Sequence, residues 1–240
     1  MPKVGTARCA VRAAFSGAIV CAILLTNPCR AADPSTNTPV AAPKGADTPE
    51  KLIKQIADYC RAGDSTNLLS CFDSSSRVHE IGAKTFAVSI ELAKAKMEVR
   101  DALIKKFGAA KVAKLSGTYA MPPGLDPLRK IADSFQNPIV KIEGDAASVT
   151  FGDPSEIPLK LERKDERWLM VRELQGMAAE DLDEAVDSME SNRYYTLGLR
   201  DVLKLIPETK SIEEADKKIM EAVDRQVGIY LAQPNAPQNK

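Results

Sequence analysis

The stretch Ile139-Val140-Lys141-Ile142-Glu143-Gly144-Asp145-Ala146-Ala147-Ser148-Val149-Thr150-Phe151 decides the fold. Upstream of it, apolar residues recur every three or four positions; inside it they recur every second position. Ala147, Val149 and Phe151 alternate with Ser148 and Thr150, the period of a strand that buries one face. Gly144-Asp145 between two such runs reads as a hairpin turn. Next, Ile157, Leu159 and Leu161 alternate with Pro158, Lys160 and Glu162, and Lys164-Asp165-Glu166 turns the chain into Arg167–Glu173, with Trp168 and Met170 on one face. Clean alternation in each run predicts an antiparallel sheet of about four strands covered on one side. Pro158 has no N–H to give to a ladder, so its strand is an outer one or is bulged there.

Working upstream, the period is helical. Thr48, Pro49 and Glu50 are an N-cap, a first-turn proline and a first-turn acid. Leu52, Ile53, Ile56, Tyr59 and Cys60 then make one face, and Gly63 stops the helix in a left-handed conformation. Asp64 caps a short second helix carrying Leu68, Leu69 and Phe72. A long helix is predicted from about Gly82 to Phe107, on the stripe Phe86, Ile90, Ala93, Met97, Ile104 and Phe107. Residues 116–124 read as loop, with one edge strand at Thr118–Met121, and Asp126-Pro127 opens a short helix to about Phe135.

Downstream, 178–231 is helical again. The acidic opening Glu180, Asp181, Asp183, Glu184 suits a helix N-terminus. Ser211-Ile212-Glu213-Glu214 has capping-box spacing, and Ile212, Ala215, Ile219, Val223, Val227 and Tyr230 form the last stripe. The expected organisation is therefore an α+β domain over 49–176, with N-terminal helices on an antiparallel sheet. A helical extension over 177–231 and a flexible tail over 232–240 follow it.

The chain ahead of the first helix reads as an address and a tether. Lys3, Arg8 and Arg12 precede the apolar run Ala13–Leu25, and Cys29 and Ala31 are small residues at the exit, so 1–31 is expected to be a secretory signal peptide cut after Ala31. The apolar run falls short of the ~20 residues a spanning helix needs. Residues 32–48 carry Pro34, Pro39 and Pro43 among small and polar residues and read as a disordered linker. The whole chain balances 33 basic against 33 acidic residues. The address holds four of the basic ones and no acid, which leaves 29 against 33, a net charge of −4. A mildly acidic chain is a poor general nucleic-acid binder. Export to a periplasmic or extracellular space also makes Cys60 and Cys71 the candidates for a disulfide.

The order of elements resembles the nuclear transport factor two-like superfamily, whose helices fill the concave face of a curved sheet. Three segments carry the resemblance: Tyr59-Cys60-Arg61-Ala62-Gly63-Asp64 at the end of the first helix, the hairpin 140–149, and Pro158-Leu159-Lys160-Leu161-Glu162-Arg163-Lys164-Asp165-Glu166-Arg167-Trp168. The 178–231 helices lie outside it. The resemblance implies two uses of such a cone. Enzymes of this superfamily, isomerases and dehydratases among them, place Asp, Tyr or His inside it. Here that reading would take His79 as general base, or Asp73 oriented by it, with Tyr59 or Tyr119 as donors. His79 is the chain's one histidine, which excludes every site that needs two imidazoles. It lies in Ser74-Ser75-Ser76-Arg77-Val78-His79-Glu80 between two expected helices, where an exposed loop or cap histidine is the ordinary outcome.

No residue is assigned a catalytic, cofactor-binding or metal-ligating role. No P-loop, Gly-x-Gly-x-x-Gly, Gly-x-Ser-x-Gly or Cys-x-x-Cys occurs. The acidic run 180–190 lacks the spacing of a calcium loop and reads as a solvated helix face. The expectation is an exported, non-catalytic module that binds a small apolar molecule or another protein. An isomerase-, dehydratase- or cyclase-like enzyme is the alternative, and a homodimer through the C-terminal helices is a third reading.

Overall fold

A computed structural model describes residues 45–117, 119–152, 157–172 and 182–233. The expected signal peptide, most of the linker, the 176/177 boundary and the end of the tail lie outside the described residues. Within them the order is α1 (Pro49–Ala62), α2 (Ser65–Leu69), α3 (Arg77–Phe107), α4 (Ala109–Val112), α5 (Pro127–Asp133), β1 (Ile139–Glu143), β2 (Ala146–Thr150), β3 (Leu159–Lys164), β4 (Arg167–Val171), α6 (Leu182–Leu203) and α7 (Ile212–Leu231). The chain is α+β, with helices on both sides of an antiparallel meander in sequence.

Local chemistry accounts for the helix ends. Thr48 accepts from the Lys51 N–H, Asp64 from Asn67, Asp126 from Arg129 and Ser211 from Glu214, each satisfying a donor that the helix itself leaves free. The return bond of the Ser211 box goes one residue outward, from Lys210 N–H to Glu214 at 2.7 Å. Gly63 sits at φ 62°, and a Cβ there would lie 2.7 Å from Lys94. α3 begins at Arg77, five residues earlier than the apolar stripe suggests, because Ser76 caps it by accepting from His79 N–H at 3.2 Å.

The sheet runs β1-β2-β3-β4 in that order. Glu143 pairs with Ala146 across Gly144-Asp145, and Lys164 pairs with Arg167 across Asp165-Glu166. The third strand starts at Leu159 rather than Ile157; Pro158 stays outside the ladder, where its missing donor costs nothing. Ala147, Val149, Leu161, Trp168 and Met170 share the face that meets the helices. β4 is covered along its outer edge. Ala46 and Trp168 exchange backbone bonds of 3.1 and 2.8 Å, and Met170 N–H reaches the Cys71 carbonyl at 2.8 Å while Asp73 N–H reaches the Met170 carbonyl at 2.9 Å. The ordered fold thus begins before Thr48, and Phe72 belongs to this bridge and not to the second helix. Both corrections share a cause: an unpaired strand edge draws in nearby backbone.

Two clusters of buried residues share α3. Its first half contributes Ala83 and Ile90 to a core with α1, α2, α5 and the sheet. Its second half contributes Ala95, Val99 and Leu103 to a core with α6, α7 and the 112–119 segment. The C-terminal helices therefore pack on the same long helix as the sheet-bearing half. α6 and α7 approach closely at Gly198, where a Cβ would lie 2.7 Å from Val223 Cα. Tyr119, expected near an edge strand, sits in a turn and is 1% exposed in this second core; residues 119–121 form no strand. The ring is large and apolar, so burying it outweighs any preference for an extended edge.

Candidate functional site

His79 and Asp73, the two residues that the resemblance offers as alternative bases, do meet. Asp73 follows the Cys71-Phe72 bridge to β4, so its backbone is fixed by the sheet edge. Ser75 N–H donates to Asp73 Oδ1 at 3.2 Å, a local Asx turn, and Ser75 Oγ donates to Oδ2 at 2.7 Å. The turn delivers the chain into the first turn of α3, which brings His79 Nδ1 within 2.7 Å of Oδ2. From across the fold, Lys164 at the end of β3 places Nζ 2.8 Å from Oδ1 and 2.9 Å from Ser75 Oγ. His79 is thus neither a loop residue nor freely exposed: its side chain is 19% exposed and that of Asp73 is 4% exposed.

Burial pushes the Asp73 carboxyl up, but the hydrogen bonds from Lys164, Ser75 and His79 outweigh it and hold the group well below the usual carboxylate range. The Lys164 ammonium is raised in turn, first by its bond to Asp73. The carboxylate stays ionised, its charge balanced by a lysine.

An imidazole held at Nδ1 by a carboxylate is the base of many hydrolytic sites, with Nε2 left to exchange a proton with a hydroxyl or thiol. Here the hydroxyl beside the dyad, Ser75 Oγ, is bonded to Asp73 instead. The two tyrosines do not join. Tyr59 lies on α1 near Asp58 and Asp64, and Tyr119 donates its hydroxyl to Asp216 in the other core. Nor does the dyad face the space between the helices and the sheet. That space is occupied by Ile53, Ile56, Phe72, Ile90, Leu161 and Met170, each at most 1% exposed.

Cys60 and Cys71 are both buried, and both are free thiols in the structure, so the expected bridge is not formed. They behave as small apolar side chains of the first core. Burial, and then the neighbouring Cys71, pushes the Cys60 thiol up to about 12; burial does the same to Cys71, to about 12. Such thiols are poor nucleophiles.

Sequence reasoning missed Lys164, which it had placed in a turn, and Ser75. Asp73-x-Ser75 at the start of a helix was a local signal for the turn; nothing local signals Lys164. No helix of the described residues is long and apolar enough to cross a membrane. No protein-family model, curated protein or solved structure matches the chain.

Proposed function

We propose that the chain is an exported module that binds another protein and carries out no chemistry of its own, built on the cone-like arrangement its sequence resembles. Residues 1–31 direct export and are removed after Ala31, and the segment that follows tethers the domain. The observation that carries the non-catalytic part is the state of Asp73. Its oxygens accept from Ser75 N–H, Ser75 Oγ, His79 and Lys164, so the hydroxyl beside the dyad, Ser75 Oγ, is held on the carboxylate and not on the imidazole. The cluster ties the β3–β4 hairpin to the start of α3. Between a small apolar molecule and a protein as partner, the side chains filling the space between helices and sheet favour the protein.

Native mass spectrometry of the protein purified from its export compartment tests this reading. The expected chain begins at Ala32 and carries no small-molecule adduct. An apolar compound released by organic extraction, in amounts matching the protein, overturns it in favour of a carrier. So does any turnover that His79→Ala abolishes while the fold is retained.

A further inference from the structure

The sheet has two edges, and among the described residues backbone closes only one of them. Backbone from Ala46 and from Cys71–Asp73 runs along β4, whereas β1 makes no such bond beyond its ladder with β2 among the described residues. Its side chains are open as well: Ile139 is 61% and Ile142 is 52% exposed. In a two-residue hairpin the residues flanking the turn exchange backbone hydrogen bonds, and bonded and non-bonded pairs then alternate. With Glu143 opposite Ala146, the backbone groups of Glu143, Lys141 and Ile139 are directed to β2. Those of Ile142 and Val140 point away from the sheet and are available to a further strand.

We infer that β1 pairs antiparallel with β1 of a second copy of this chain, across a two-fold axis at Ile142. This rests on the protein-binding reading and names the partner. In a two-fold pair each contact occurs twice. Ile142 faces its own copy and exchanges both outward backbone bonds with it; Lys141 of each copy then lies opposite Glu143 of the other. A one-step alternative centred on Lys141 also satisfies the backbone, but it sets Lys141 directly against Lys141, where like charges repel. Charge therefore selects the first register. Lys141 and Glu143 already bond within one chain, at 2.6 Å, and in the pair each gains a second opposite charge. A charge on a strand edge deters pairing when it meets its like; in this register it meets its opposite. The pairing also withdraws the exposed Ile142 from water and extends four strands to a continuous sheet across both copies.

Sedimentation equilibrium on the purified chain at micromolar concentration tests the register. The wild type is expected at twice the chain mass. Lys141→Glu and Glu143→Lys each set like charges opposite one another twice, and each should weaken the dimer about tenfold or more. An equimolar mixture of the two variants should recover the double mass, as should Lys141→Glu/Glu143→Lys in one chain. Both side chains are well exposed, and an unchanged circular dichroism spectrum checks that each variant is folded. A wild type at single-chain mass overturns the pairing, as does a dimer that neither single variant weakens, or a double variant that stays dissociated. A single-chain mass with a different protein bound overturns the pairing and leaves the protein-binding reading standing.

Discussion

Ile90 and Leu103 lie on the same helix, α3, roughly 20 Å apart along its axis, and both are almost fully buried. They belong to different cores that are closed in different ways. Around Ile90 the second wall is a sheet, and its open edge is finished by backbone from Ala46 and Cys71–Asp73. Around Leu103 the walls are helices and the turn that carries Tyr119, and side chains close the ends. Lys106 Nζ binds the Ile206 and Pro207 carbonyls at 2.7 and 2.6 Å, the Arg100 guanidinium binds the Leu125 carbonyl, and Tyr119 binds Asp216. Closure by backbone costs little side-chain entropy. Closure by long side chains must overcome up to ~2 kcal/mol of rotamer freedom each. The sheet-side core is thus held by periodic structure, and the helical core by a few long-range side chains.

If α3 couples the cores into one unit, damage to either should lower both. Ile90→Ala and Leu103→Ala should each cost about 2–5 kcal/mol, the range for large-to-small changes at fully buried sites. Trp168 is the only tryptophan and lies in the sheet-side core, so its fluorescence follows that half, while far-ultraviolet circular dichroism is dominated by the helices. The two melting curves should coincide in both variants. A Leu103→Ala chain whose helical signal melts well below its Trp168 signal would show that the helical core opens alone.

A smaller effect separates the two modes of closure by pH. Asp73→Asn leaves Lys164, whose side chain is 36% exposed, beside a neutral partner, and should cost about 1–2 kcal/mol at neutral pH. Asp73 has a folded-state pKa below its unfolded value near 4. Its contribution is therefore full above about pH 4 and fades as pH falls toward the folded value. The gap between wild type and Asp73→Asn in urea denaturation should accordingly narrow as the pH falls below 4. A gap that does not narrow below pH 4 would mean that the folded-state pKa of Asp73 is not held below its unfolded value.

The difference between the cores also explains what could be read from the chain. The caps at Thr48, Gly63 and Asp64, and the two hairpin turns, depend on residues within four positions of each other, and each lies where local chemistry puts it. The start of α3 was hidden because Ser74-Ser75-Ser76 reads as loop, and a lone serine cap without an acid three residues on is a weak signal. Phe72 was placed on α2 by its spacing, yet it sits against Met170 because β4 needed an edge partner. Asp73 and His79 were named together, but Lys164 comes from 91 residues further along, and no spacing rule links them. The 178–231 helices were legible as helices; that they share α3 with the sheet follows only from which face of a long helix each half buries.

The smallest effect bears on the hairpin that supplies Lys164. Asp165 and Glu166 occupy the turn between β3 and β4 at φ 47° and 64°, both left-handed, which suits the twist of a two-residue hairpin. Asp tolerates this region because its short side chain bonds locally, whereas a longer residue with a Cβ incurs roughly 1 kcal/mol. Glu166 is exposed, so replacing it removes strain without opening a cavity. Glycine adds conformational freedom to the unfolded chain, which offsets part of the gain. Glu166→Gly should therefore stabilise the fold by about 0.5 kcal/mol, read as a small rise in the urea midpoint at unchanged slope. Because Lys164 leaves β3 directly into this turn, the gain should shrink in an Asp73→Asn background, where the hairpin no longer has a carboxylate to reach. Equal gains in both backgrounds would show that turn and latch are independent.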